Sequence, residues 1–199
     1  YGDKDLLDEF FPKMLHFLDY LESRSDNGLV WREEKDGWCL VDWCPPPDNS
    51  IIIPESYVNT CLYVTFMYQT LEAAVILGRQ SETAHLSERI ERVKKAINIA
   101  YFSSGNHNFV GDAQGANSLA LRIGLGDERT VQNTVNKYND LGMFDTGIIA
   151  TEALIGHLFE IGEGQLAFDL IKNKKEISAR DSLLRNIRDK NIKKSFDFK

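Results

Sequence analysis

The chain has 199 residues, of which 43% are hydrophobic and 27% charged, the balance of a globular domain rather than of a disordered or fibrous chain. Its 30 acidic and 23 basic residues leave a net charge of −7, and the basic ones are scattered except at the far end; phosphate binding needs a clustered basic face, so nucleic acid is not an expected partner. No apolar run is read as approaching the roughly 20 residues that span a bilayer, so no membrane is expected either, and Cys39, Cys44 and Cys61 are too few and too irregular for a disulfide framework or a zinc site.

From residue 3 to 24, Leu6, Leu7, Phe10, Phe11, Met14, Leu15, Leu18 and Leu21 recur at three- and four-residue steps, the period of an amphipathic helix. Pro12 falls inside it and predicts a kink, or a short turn followed by a fresh helix with Pro12 in its first turn. Asp26, Asn27 and Gly28 then stop the helix. Residues 29–56 carry three tryptophans and the run Pro45, Pro46, Pro47 without helical period, which reads as one long loop. A loop beyond about 15 residues in a compact domain is usually functional or disordered, and Trp38, Trp43 and residues 51–53 are too apolar for disorder.

Residues 57–77 are apolar almost all round, which marks a buried helix ended by Gly78. Residues 81–101 read as a second kind of helix, charged apart from a stripe of Leu86, Ile90, Val93 and Ile97. The alternation repeats. Residues 117–123 are short and apolar, residues 127–141 polar with Val131 and Val135 as their stripe, residues 148–161 apolar, and residues 163–172 half polar. No strand is predicted between these inner and outer pairs. Antiparallel hairpins of this kind stack into an open solenoid or a closed double ring, and the lack of a fixed repeat favours the ring. The expected fold is all-α. In a ring the loops entering the inner helices, residues 29–56, 103–116 and 142–147, converge on one face. They hold Asp42, Trp43, Gln114, Asp145 and Thr146, with Asn117 directly after the second, and tryptophan faces beside carboxylates and amides are what a carbohydrate pocket needs. The competing structural readings are that the tryptophans anchor the loop and that Asp42, Asn59, Asn117, Asp145 and Thr146 cap turns or helices.

YGDKDLL, a helix ending LxYLxSR, then GWCLVDWCPP, PESYVNT, QGANSLALRIGLGDERT, MFDTGIIATEAL and FEIGEGQLAFDLI follow one another in this order. Together they resemble the middle of the six-hairpin catalytic domain of α-L-rhamnosidases, glycoside hydrolase family 78, over most of residues 1–178; residues 179–199 form a divergent basic tail. The resemblance implies part of an (α/α)6 barrel and an inverting hydrolysis of terminal α-L-rhamnose by two carboxyl groups about 6.5 to 9.5 Å apart. In the family the acid Glu lies upstream of the region matching Tyr1 and the base Glu downstream of that matching Ser178. Neither motif occurs here, so no catalytic residue is assigned and the chain is read as a piece of the enzyme.

What the resemblance carries over is a sugar-binding wall. Trp43 corresponds to a tryptophan lining the rhamnose subsite, with Asp42 as hydroxyl partner and Asn59, Gln114, Asn117, Asp145 and Thr146 facing the same cavity. The expected partner is a rhamnose-containing glycan or glycoside. No cofactor and no metal are expected, since His16, His85, His107 and His157 are isolated in sequence. The alternatives are a non-catalytic carbohydrate-binding module or a helical protein-interaction module. An open half ring would expose inner helices such as residues 57–77, and self-association through them is the corresponding expectation.

Overall fold

The computed structural model describes residues 2–31, 41–43, 53–113 and 115–173. Seven α-helices carry the fold among them: α1 Lys4–Ser23, α2 Glu55–Leu77, α3 Leu86–Tyr101, α4 Ala116–Arg122, α5 Glu128–Leu141, α6 Ile148–Glu160 and α7 Gly164–Lys172. Two small antiparallel ladders join them, β1 Ser25–Asp26 with β2 Leu29–Val30 and β3 Phe102–Ser103 with β4 Asn108–Phe109. These pairs correct the strand-free reading. Two residues a side is too short to leave an alternating pattern in the sequence. The first ladder turns at Asn27 (φ 52°) and Gly28 (φ 83°), the pair of left-handed residues that a tight hairpin requires.

Of the two expectations at Pro12, the short turn followed by a fresh helix is set aside: α1 is one helix with Pro12 inside it. Proline removes one amide donor, and the helix is held on either side of that gap. Asp3 Oδ1 accepts from Leu6 N at 3.1 Å at its start, and fully buried Phe11 packs on Ala73 and Ala74 of α2. Burial of such a side chain stabilises by about 1.5–3 kcal/mol. The Arg79 guanidinium lies 4.6 Å from the Phe11 ring and donates to Asp8 and to both oxygens of Glu82, joining α1 to the 3-10 turn Gln80–Thr83. That turn takes up the first residues of the segment read as helix from 81, so α3 starts only at Leu86.

Helix α2 is the inner helix of the first hairpin. Tyr57, Val58, Tyr63, Val64 and Met67 are fully buried, and Gly78 closes it in the left-handed conformation at φ 71°. By length and composition it is apolar enough to cross a membrane, with mean hydropathy 1.3, which corrects the reading that no such run exists. Packing against α1, α3 and α4 buries just under half of that stretch. Cys61 on this helix is a free, buried thiol, pushed up to about 12 by desolvation. The reading of Cys39 and Cys44 lies outside the described residues. Helix α3 buries Leu86, Ile90, Val93 and Ile97, the four residues of its predicted stripe.

The second and third hairpins repeat the scheme. Helix α4 lies against both α2 and α6, so the three inner helices form a row, with α5 behind α4 and α7 behind α6. The buried stripe of α5 is Thr130, Thr134, Val135 and Tyr138, while Val131 is only half-buried. Threonines take core positions because their hydroxyls bond within the chain: Thr134 Oγ1 donates to Thr130 O at 2.9 Å, and Thr130 Oγ1 donates to His107 O at 2.9 Å. Thr130 also completes a capping box with Asp127 at the helix start.

His157 of α6 is buried, with Nδ1 4.0 Å from a Glu160 oxygen and Nε2 without a hydrogen-bond partner among the described residues. Desolvation holds its pKa below the ordinary histidine range, against a smaller opposing pull from Glu160. A folded pKa below the unfolded value of about 6.5 means the unfolded chain binds more protons, so the contribution to stability is complete above that value and is lost as pH falls through the folded pKa. His157→Gln should therefore flatten the acid side of the melting temperature against pH relative to the parent chain. Parallel profiles for the two proteins would contradict this assignment.

Candidate functional site: the loops at the start of the third inner helix

Helix α6 begins at Gly147, and its first-turn amides have no partner within the helix. No neighbouring side chain caps it. The cap arrives from residues 41–43, more than one hundred positions earlier in the chain. Asp42 is buried, and its Oδ2 accepts from Gly147 N at 2.7 Å while Oδ1 accepts from Ala150 N at 2.9 Å. Ile148 N donates to the backbone carbonyl of Trp43 at 2.8 Å. Charge-assisted bonds of this kind are the stronger class of hydrogen bond, and a carboxylate at a helix N-terminus also meets the positive end of the helix dipole. Burial nevertheless raises the Asp42 pKa above the ordinary carboxylate value; the backbone amides pull it down and Asp145 adds to the rise.

Two backbone features depend on this clamp. Val41 holds φ 50°, a left-handed conformation that costs a β-branched residue roughly 1–3 kcal/mol and is sustained only by its surroundings. Gly147 lies so close to the incoming loop that an added Cβ would stand 2.2 Å from the Asp42 carbonyl oxygen and 2.5 Å from that of Trp43. The close approach, not a special φ, demands glycine there. Trp43 emerges from the clamp with its side chain 48% exposed.

A second polar group lies alongside. Tyr138 Oη donates to Asp145 Oδ1 at 2.8 Å, and Lys137 Nζ lies 3.0 Å from Asp145 Oδ2. Desolvation and the Asp145 carboxylate drive the Tyr138 phenol well above its ordinary value, so it stays a hydrogen-bond donor. Thr146 is fully buried and shares a 2.6 Å hydrogen bond with Thr151 through their hydroxyls. Gly115, just before α4, has φ 66°, and a Cβ on it would stand 2.4 Å from that of Ala150 and 2.7 Å from Thr146 Cγ2. The start of α4 is thereby pressed against the start of α6. Beside it, Ala113, Asn117, Ser118, Thr134 and Lys137 help to line a pocket of about 10 Å³, room for about one water molecule. A sugar ring does not fit inside it.

The structure thus brings Asp42, Trp43, Asp145 and Thr146 together. Asn117 is turned another way. Its Oδ1 accepts from Phe109 N at 2.8 Å and its Nδ2 donates to Asn108 Oδ1 at 2.9 Å, so both ends of the amide fasten β4 to α4. Asn59 is half-buried in the second turn of α2, and Gln114 lies outside the described residues. Tyr138 and Lys137 were missed in the sequence, although extending the stripe 131, 135 by three residues reaches Tyr138. Gly147 was missed because a close tertiary approach leaves no local pattern. Among the described residues no group of three or more His, Cys, Asp or Glu side chains is placed to hold a metal ion.

Inner and outer helices paired as hairpins, with the inner ones in a row, define an all-α helical-hairpin domain. The bacterial α-L-rhamnosidase six-hairpin glycosidase domain matches residues 1–178, and the chain belongs to this family. It is 26% identical to an α-L-rhamnosidase of Streptomyces avermitilis, covering 87% of this chain and 16% of that protein. The crystal structure of a Streptomyces avermitilis α-L-rhamnosidase complexed with L-rhamnose superposes with a TM-score of 0.69 over the same share. The fold is also that of the native rhamnosidase from Aspergillus terreus, at TM-score 0.73 and 19% identity, with 87% of this chain and 21% of that one covered. The chain therefore spans about a fifth or less of the length of these relatives.

Gly147→Ala should push residues 42–43 off the start of α6. Chemical denaturation is expected to show a loss of about 1–3 kcal/mol, the range for overpacking a tight site, with a changed Trp43 emission in a background where Trp31 and Trp38 are phenylalanine. Unaltered stability and emission would show that the close approach is not there.

Proposed function

We propose that this chain forms one arc of the sugar-binding wall of an α-L-rhamnosidase-like glycoside hydrolase, with Trp43 as the face on which L-rhamnose stacks. The observation that carries the reading is the clamp: the Trp43 backbone is fixed to α6 while its ring is left half open to solvent. An aromatic face held rigid in this way binds the apolar side of a sugar with little ordering cost. Support also comes from the similarity to the Streptomyces protein whose structure holds L-rhamnose.

In this reading Asp42 acts by position. Both of its oxygens already accept a backbone N–H, so its part is to hold Trp43 rather than to meet a sugar hydroxyl. The partly exposed Asp145 and Lys137 pair supplies polar contacts at the rim. Thr146 and Asn117 support the wall from within. Residues 1–178 belong to the catalytic domain, and residues 179–199 form a divergent tail. The activity proposed for the whole enzyme is release of terminal α-linked L-rhamnose with inversion, by two carboxyl groups supplied from outside this chain.

Calorimetric titration with L-rhamnose should show weak saturable binding that Trp43→Ala abolishes, with circular dichroism unchanged because the side chain is exposed. A chromogenic rhamnoside should not be turned over. Binding that survives Trp43→Ala contradicts the stacking role, and turnover that depends on Asp42, Glu55 or Asp145 contradicts the placing of the catalytic pair elsewhere.

A further inference from the structure

In α4, residues 116–120 are all buried, with α2 on one side, α6 on the other and α5 behind. The helix carries three polar side chains, and two of them have partners. Both ends of the Asn117 amide are bonded, and Arg122 donates to Glu152. The third, Ser118, is fully buried, and its hydroxyl has no hydrogen-bond partner among the described residues. A serine or threonine inside a helix can return its hydroxyl to the carbonyl one turn back, as Thr134 does to Thr130 on α5. Ser118 makes no such bond. A buried hydroxyl left unmade is costly, and folded chains meet such groups with ordered water where the protein supplies no partner.

Ser118 lines the pocket of about 10 Å³ between α4 and α5. Thr134 lines it too; its hydroxyl gives its proton to Thr130, which leaves the lone pairs of the oxygen able to accept. Tyr138 is a third lining residue, and its phenol oxygen accepts from the Gly115 amide and donates to Asp145. Residues that carry hydroxyls thus border, from two helices, a space about the size of one water.

We infer that this pocket is a binding site for a single ordered water, held by the Ser118 hydroxyl and linking α4 to α5 beside the residues that hold Asp145. The volume sets the ligand, since about 10 Å³ admits one water and no organic group or hydrated ion. The lining sets its state. Internal cavities that stay dry are apolar, whereas this one offers an unpartnered hydroxyl on α4 and an accepting one on α5. The water takes the Ser118 hydroxyl as one partner and donates to Thr134 as another. The inference stands on Ser118 and the pocket rather than on the sugar reading, so failure to bind rhamnose leaves it in place.

Magnetic relaxation dispersion of the water oxygen counts long-lived internal waters and does not respond to exchanging hydroxyl protons. Applied to the 199-residue chain, it should find one such water more per chain in the parent than in Ser118→Ala. Ser118→Cys, whose thiol is a weak donor of nearly the same shape, should show the same loss and serves should the alanine variant fold poorly. A crystal structure of the parent should place the water at about 2.7–3.0 Å from both Ser118 Oγ and Thr134 Oγ1. Equal water counts in parent and variants overturn the proposal, as does a pocket that the crystal structure shows dry or filled by a side chain.

Discussion

The carboxylate of Asp42 joins residues 41–43 to the start of an inner helix. Its two oxygens take up the amides of Gly147 and Ala150, two donors that the geometry of a helix leaves without partners. Burying a carboxylate is costly, and the raised pKa records that cost. The amides and the helix dipole offset it, and the same bonds sustain the left-handed Val41 beside it. With the charge satisfied, the loop backbone can approach α6 closely enough to require a glycine at 147. Trp43 is then positioned by its backbone and free at its ring.

The remaining architecture delivers residues to this point. Inner helices α2, α4 and α6 stand in a row, and the pressure of Gly115 on Thr146 and Ala150 fixes the start of α4 against that of α6. Outer helix α5 brings Tyr138 and Lys137 to Asp145, so an outer helix contributes to a face otherwise made by inner ones. The hairpin of β3 and β4 is fastened by Asn117 behind the same face. The chain belongs to a six-hairpin glycosidase family and spans about a fifth or less of the length of its relatives.

Much of this was legible in the residues where burial follows a simple period. The α3 stripe of Leu86, Ile90, Val93 and Ile97 is a single apolar line on a charged helix, and the structure buries all four. On α5 the same logic chose valines and missed Thr130 and Thr134, because hydropathy cannot register hydroxyls satisfied within the chain, that of Thr134 by Thr130 O and that of Thr130 by His107 O. Pro12 lies inside α1 rather than in the first turn of a fresh helix, and Phe11 beside it packs against α2. Asp42 and Trp43 were singled out through the order of motifs, yet the bonds of Asp42 to Gly147 and Ala150 were hidden. Whether a carboxylate meets a ligand or a helix end is decided by a segment more than one hundred residues away. Asn117 illustrates the same limit, since its partners Asn108 and Phe109 lie on a two-residue strand too short to predict.

The clamp can be read at single amides. Gly147 and Ala150 lie at the helix start, where no intrahelical acceptor exists, so slow hydrogen exchange there reports their bonds to Asp42. The amides of Gly147, Ile148 and Ala150 should be protected to a degree comparable with the core of α3. In Asp42→Ala, protection at Gly147 and Ala150 should collapse while that of Ile90 and Val93 persists. Exchange at Gly147 and Ala150 as fast as in an open chain, in the parent protein, would contradict the account.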